Sequence, residues 1–469
     1  DPGTRQQHRQ APAPAPKSGL PSAALSRWNP EFRQLGEGDS GPATDFSLTF
    51  GNTFGKLGVV LSAVSNQGYE IVDEQYRFFG VDSGDLVPIN DYSLISDREH
   101  TSSGLIANLS YRLTDNNRLF LNSVLTRDAS ADDRYQQGLQ SGTGGDIRDY
   151  RVRYQLEEIF STRLRGEHNL SGPGAGSLFE WNLTRSEASN DSDLRENLYR
   201  EADPGVFELQ TGFAESGRVE YFTLADTIEQ GGLSHTIFFA PTNASWSGSI
   251  KGGLDRMERT RAFDARRFRF VQAGALNVDL SQTPDEIFTA ANIGPNGFEI
   301  REVTGVNDAY DASHTIDAAY LMSDTSFGKW RFIGGARYEH SDQSVLTFNP
   351  FDVDTIVESI NENNDLLPSL NVVYQLAQRT NLRFGYGRSV NRPEFRELSP
   401  FTFTEVAGGR SVSGNPNLEQ ATIDGYDLRW ETFPGGGDVI AASAFYKKID
   451  KPIERIVQPT TDLRQSFVN

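Results

Sequence analysis

The side chains best suited to chemistry are sparse and scattered. The six histidines, His8, His100, His168, His235, His314 and His340, nowhere form a His-Glu-x-x-His arrangement, so the paired imidazoles of a zinc hydrolase are missing. With no Cys there is no thiol nucleophile, Cys-based zinc site, iron–sulfur cluster or disulfide framework. Gly385-Tyr386-Gly387 supplies half of a dinucleotide fingerprint, but it lies in a strand-like stretch heading into Arg392-Pro393 instead of opening a helix. No Gly-x-Ser-x-Gly elbow or phosphate loop occurs. Asp352 and Asp354, or Glu362 with Asn363, Asn364 and Asp365, offer hard oxygens for calcium, yet neither run has the ~12-residue calcium-loop pattern and both read as solvated acidic loop. The chain is therefore not expected to be an enzyme, and no metal or cofactor is expected.

Two groups of residues suit binding better than catalysis. Tyr69, Tyr76, Phe78, Phe79, Phe207, Tyr221 and Phe222 are set among charges in polar stretches, a mixture that suits bulky polar ligands such as glycans, peptides or metal chelates. Packing of loop against loop would use the same aromatics. Arg388, Arg392 and Arg396 would hold an anionic ligand at a mouth, but pairing with Glu394 and Glu397 is the simpler expectation.

The elements that must position these residues are strands. The 469-residue chain is 37% hydrophobic, with 30 Phe, 16 Tyr, 5 Trp, only 2 Met and a formal net charge of -20. That charge repels phosphate backbones, so no nucleic-acid partner is expected. No run approaches the ~18 apolar residues of a membrane-spanning helix. Asp1-Pro2-Gly3-Thr4-Arg5 lacks the features of a signal peptide, which fits a mature product, a fragment or an intracellular chain. Residues 1–43, with Ala11-Pro12-Ala13-Pro14-Ala15-Pro16, read as a Pro-rich linker or loop. From 44 to 469, period-two alternation dominates. Leu105, Ala107, Leu109, Tyr111 and Leu113 alternate with Asn108, Ser110 and Arg112; Trp330, Phe332 and Tyr338 alternate with Arg331, Arg337 and Glu339; Tyr426, Leu428 and Trp430 alternate with Asp427, Arg429 and Glu431. In a membrane barrel the apolar set faces lipid and the charged set the lumen.

Connection length separates a membrane barrel from a soluble sandwich. Short turns at Gly55-Lys56, Thr114 to Asn117, Ser171 to Gly174, Ser326 to Gly328, Arg379-Thr380 and Pro434 to Gly437 alternate with long polar stretches over 66–99, 128–150, 190–245, 257–311, 346–365 and 391–420. Short turns on one side and long loops on the other are the pattern of an outer-membrane barrel. About thirteen strand candidates fall short of the ~22 of the large plugged barrels, so this chain alone is not expected to close.

The carboxyl-terminal third carries a resemblance. Ser389-Val-Asn-Arg392-Pro393-Glu-Phe395-Arg-Glu-Leu398-Ser-Pro400 is followed by Gly414-Asn415-Pro416-Asn417-Leu418, then by Tyr426-Asp427-Leu428 and Phe445-Tyr446-Lys447. These four ordered motifs closely resemble the barrel of TonB-dependent outer-membrane receptors, and Ser47 to Phe54 with Lys56 to Val59 is similar to the first strands after the plug. The resemblance implies an all-β fold, an antiparallel transmembrane β-barrel of the ~22-stranded outer-membrane transporter type, present only in part. It implies the outer membrane of a Gram-negative-type bacterium, with outer-membrane lipid around it. It also implies a TonB-type energy-coupling protein acting through a plug not in this chain, and a surface lipoprotein or other outer-membrane subunits as further partners. Several more strands are implied beyond Ser466-Phe467-Val468-Asn469. For Arg388, Arg392, Pro393, Phe395, Leu398, Pro400, Gly414, Asn415, Pro416 and Leu418 the expected roles are structural: Pro ends a ladder, and Gly-Asn-Pro makes a turn. Three functions fit: an energised importer of a scarce bulky solute, a passive pore or structural barrel subunit, and a soluble all-β carbohydrate-binding protein.

Overall fold

The computed structural model describes residues 43–469 except 141–143, 172–175, 215, 241–245, 275–276, 350–351, 401, 405–410 and 458–464. The expected linker over 1–43, apart from Ala43, the turn at Gly172-Pro173-Gly174, and the side chains of Asp352 and Asp354 lie outside the described residues.

The chain runs through β1 (Thr44–Phe54), β2 (Leu57–Asp82), β3 (Asp85–Thr114), β4 (Asn117–Gln140), β5 (Gly145–Leu170), β6 (Ser177–Asp203), β7 (Val206–Leu209), β8 (Arg218–Phe239) and β9 (Trp246–Gln272). A one-turn helix α1 (Pro284–Ile287) precedes β10 (Phe298–Glu302), β11 (Ala309–Phe327), β12 (Trp330–Asn349), β13 (Asp352–Ala377) and β14 (Thr380–Asn391). A second turn of helix, α2 (Phe395–Leu398), leads to β15 (Thr402–Thr404), β16 (Ser411–Ser413), β17 (Ala421–Gly435), β18 (Asp438–Asp450), β19 (Glu454–Val457) and β20 (Gln465–Val468).

One 16-stranded sheet takes up almost all of this, in the order β1-β2-β3-β4-β5-β6-β8-β9-β11-β12-β13-β14-β17-β18, with β7 and β10 as branches. Fourteen strands therefore make the wall, each antiparallel to its sequence neighbour. Among the described residues β1 and β18 are free edges, so the barrel wall is open, as expected.

The stretches expected as long loops are mostly ladder. Strands β2 to β6 are 26, 30, 24, 26 and 27 residues long, far beyond the ~9–11 that cross a bilayer. The hairpin over 66–99 is interrupted only at Ser83-Gly84, where φ is 51° and 94°. All of β8 falls inside the stretch 190–245 that the sequence suggested as loop. Above the lipid both faces of a strand meet water, so the hydrophobic period disappears while the backbone ladder continues. The stretch 391–420 is the exception: it folds back against the wall through Phe395, Leu398 and Leu418, which pack on Tyr310, Ala312 and Val345 and so mark the inner face.

Alternation from that face sorts the rest. Phe332, Leu428 and Trp430 point outward and Arg331, Arg337, Asp427 and Arg429 inward, with Leu105, Leu109 and Tyr111 on the outer and Arg112 on the inner face of β3, as the sequence suggested. The register also sets the tilt. Outward ion pairs sit at Arg127–Glu158, Arg256–Asp317 and Arg388–Asp424. Continuing the β13–β14 register one residue to Arg388 and following it back reaches His168 and Asn117 on β5 and β4, ten residues below Arg127 after eight strand steps. Ten residues are about 33 Å along a strand and eight spacings about 38 Å across, so the pairs lie on one level if strands tilt by about 41°. Barrel strands tilt by ~35–45°. On the same geometry, the span from Trp330 to His340 rises about 25 Å, the height of an apolar barrel band.

Candidate functional site

The family-like motif residues build an inward-folded segment. Pro393, lacking an amide hydrogen, ends β14, and its carbonyl accepts from Gln343 Nε2 at 2.8 Å. Glu397 Oε2 accepts from the Glu394 amide at 2.8 Å and starts α2, placing Phe395 and Leu398, 1% and 0% exposed, on the inner wall. A Cβ on Gly414 would stand 2.0 Å from the Ser399 carbonyl oxygen, so only Gly fits there. The Asn415 amide donates to the Glu397 carbonyl at 2.6 Å, and its side chain donates to the Phe467 carbonyl at 2.9 Å. Ser359 Oγ donates to the Pro416 carbonyl at 2.6 Å, Ser413 Oγ to that of Pro400 at 3.3 Å, and Leu418 is buried beside Phe395.

Arg388 and Arg392 do not take the expected partners. Arg392 Nη2 reaches Glu339 at 2.8 Å and Asp365 at 3.0 Å on the inner wall. Arg388 forks onto Asp424 at 2.9 and 3.0 Å, on the outer wall beside Tyr386. Glu397 is taken by the helix start, and Glu394 is 3.8 Å from Arg259. Pairing across strands wins because side chains at one level of neighbouring strands are closer than those along a turn that buries its other face.

The seven candidate aromatics separate by face. Tyr76 and Phe78 point inward and pack against the buried Tyr92, Ile147 and Leu198. Phe222 points inward and stacks on Phe263 at 6.3 Å, which stacks on Tyr310 at 5.2 Å, beside the folded-in segment. Tyr69 and Tyr221 point outward; Tyr69 accepts from Gln67, and Tyr221 meets Phe268 edge to face at 6.1 Å. Phe79 follows a register shift and is 51% exposed near the hairpin tip. Phe207 is buried on the outer side, with Tyr199, Ile287 and Phe298.

Sequence reasoning missed the charged framework between these clusters. Asp226 accepts a fork from Arg259 and a further bond from Arg261, and both guanidinium groups lie over Phe395 at 5.0 and 5.4 Å. His314 Nε2 is 2.9 Å from Ser341 Oγ; burial, then Arg392 and Arg259, push its pKa down to about 4, so it is neutral. Higher on the wall Asp149 and Glu196 are buried together, and burial followed by repulsion from Glu196 holds the Asp149 carboxyl well above the usual range. Glu196 is held by Arg218, while Ser216 bonds the Leu198 backbone N–H and carbonyl, both at 3.1 Å. The one available signal was the inward parity of these charges along strands read as loop. Among the described residues no group of three or more His, Asp or Glu is placed to hold a metal ion. Paired guanidiniums over aromatic faces suit holding a bulky polar ligand.

A family model described as TonB dependent receptor-like, beta-barrel matches residues 28–468. This chain belongs to that family. TonB-dependent receptors are outer-membrane transporters, not enzymes, and this member is an outer-membrane protein. Similar solved structures include the siderophore receptor PiuA from Acinetobacter baumannii, with a TM-score of 0.51, 10% identity, and coverage of 91% of this chain and 59% of PiuA. The ferric-catecholate import receptor Fiu from E. coli K12 gives 0.49 and 12%, covering 92% of this chain and 60% of Fiu. The outer membrane transporter YddB from Escherichia coli gives 0.49 and 11%, covering 91% and 50%. This TonB-dependent receptor chain thus spans 50–60% of the length of those proteins, and the PiuA likeness bears on the fold alone. No curated protein matches the sequence significantly.

Proposed function

We propose that this chain forms the barrel wall of a receptor that imports a scarce bulky solute across the outer membrane, powered through a TonB-type protein acting on a plug. Residues 44–469 are the wall and 1–43 the linker or loop preceding it. The carrying observation is the inner wall at the mouth, where Phe222, Phe263 and Tyr310 stack beside the Arg259–Asp226–Arg261 group. Inward Tyr76, Phe78 and Phe222 are the first candidates for ligand contact; Tyr69, Phe79 and Tyr221 contribute from the rim. Glycans, peptides and metal chelates are the ligand classes to screen, and the siderophore named for PiuA puts iron chelates among the first probes. A surface lipoprotein or other outer-membrane subunits are further candidate partners.

The test exchanges 66–99 and 190–245 for those of a relative that imports a different solute, and measures whole-cell binding and uptake with and without TonB. Transferred specificity with TonB-dependent uptake is expected. Unchanged specificity in a folded barrel moves selection to the plug or lower wall, and uptake that persists without TonB favours the passive pore.

A further inference from the structure

A hollow on the outer wall lies inside the apolar band, away from the mouth. It encloses about 660 Å³ between two rows of register-paired residues. The lower row is Trp181, Leu233, Leu254, Ala319 and Tyr338. The upper row is Leu183, Gly231, Arg256, Asp317 and His340. Depth comes from the small residues: a Cβ on Gly231 would stand 3.3 Å from Leu183 Cδ2 and fill the floor. Because register rows are inclined by about 41° to the membrane plane, the groove climbs from Trp181 within the band to His340 at its extracellular edge.

Its polarity changes along that climb. The low end is aromatic and aliphatic, whereas the high end carries Arg256, Asp317 and His340. Arg256 uses only Nη1, which meets both Asp317 oxygens at 2.9 and 2.8 Å; among the described residues its Nε and Nη2 have no hydrogen-bond partner, and the side chain is 60% exposed. A second anion can therefore take Nε and Nη2 as a fork while the Nη1 contact to Asp317 stays in place. His340 Nδ1 sits 3.1 Å from Asn364 Oδ1, leaving Nε2 facing out.

We propose that this groove binds one phosphate-bearing glycolipid of the outer leaflet, an acyl chain lying along Trp181, Leu233, Leu254 and Ala319, and a phosphate on Arg256 and His340. Position inside the band points to a lipid, and the free guanidinium donors match a phosphate fork. Asp317 accepts from a sugar hydroxyl, and the Asn364 amide NH2, whose Oδ1 is already taken by the Tyr338 hydroxyl and His340 Nδ1, donates to another, which selects a glycolipid over a glycerophospholipid. The proposal is independent of the transported solute.

The experiment uses the full-length protein in detergent, titrated with diphosphoryl lipid A or with phosphatidylglycerol and followed by native mass spectrometry. Quenching of Trp181 by brominated acyl chains, with Trp181→Phe as the blank, gives a second readout. One retained lipid A per barrel is expected, with affinity at least fivefold lower in Arg256→Gln and binding lost in Ala319→Leu, in barrels of unchanged melting temperature. Equal retention by wild type, Arg256→Gln and Ala319→Leu overturns the site. Equal retention of phosphatidylglycerol and lipid A overturns the choice of glycolipid.

Discussion

Arg392→Ala measures how firmly the inward segment is pinned. Arg392 Nη2 lies 2.8 Å from Glu339 and 3.0 Å from Asp365, with the three side chains only 16%, 11% and 12% exposed. Hydrogen bonds to charged groups are worth ~1.5–3 kcal/mol each, and breaking a fully buried pair costs ~3–5 kcal/mol. Here neither carboxylate is left bare, because Glu339 keeps Arg337 at 2.6 Å and Asp365 keeps Gln420 at 2.7 Å. The expected loss is therefore about 2–3 kcal/mol of docking, a rise of about 30- to 150-fold in the undocked population. Amide hydrogen exchange reads it directly at Leu398, Ser399 and Asn415, whose N–H groups bond Glu394, Phe395 and Glu397 carbonyls at 3.2, 3.0 and 2.6 Å. Those amides should exchange faster in the full-length protein while β4 and β5 do not change. Unchanged exchange at Ser399 and Asn415 refutes the pinning role, and equal acceleration in β4 and β5 shows a global effect instead.

Gly414→Ala should undock the same segment, since its Cβ would stand 2.0 Å from the Ser399 oxygen; Gly387→Ala, with only Ser369 Oγ at 4.0 Å, should not, and limited proteolysis distinguishes them. Leu428→Arg, on the outer wall within the band, should cost about 2–4 kcal/mol in thermal gel-shift unfolding, whereas Asp427→Asn on the inner face should stay within ~0.5 kcal/mol. Asp149 holds its proton to higher pH when folded than when unfolded. The stability it contributes is therefore present at low pH and is lost as pH climbs from the ordinary aspartate range through its raised value. Protease access to 210–214 and 216–217 should accordingly increase as pH rises above the ordinary aspartate range in the wild type and stay flat in Asp149→Asn, which mimics the protonated form; equal pH dependence in both would exclude Asp149 as its source.

Legibility followed the lipid. Where Leu105, Leu109 and Tyr111 face hydrocarbon and Arg112 does not, the two-residue period survives in the sequence, and fold, facing and openness could all be read from it. Above the band, Ser96, Gln136 and Asp149 are buried and polar, Arg77 pairs with Asp91 outside, and no period is left to see. The ladder persists there because its hydrogen bonds are made by backbone, which composition does not report. The motif residues were legible as structural, but their partners were not. Arg392 finds Glu339 across 53 positions of sequence, and only the register of β12 against β13 and the return of the segment bring the two together.

The long hairpins above the membrane set a rule for how this mouth can diversify. In a flexible loop one inserted residue is absorbed locally. In the 66–99 hairpin, paired residue by residue from 66 to the bulge at Phe78/Phe79 and again to Asp82, one inserted residue turns every side chain between it and the bulge to the opposite face. Tyr76 would leave the inner cluster and Arg77 would enter it. Variation in the mouth of this chain is thus confined to substitution in place, to compensated changes on both strands, or to the bulge at Phe78/Phe79, where the ladder already carries a register shift.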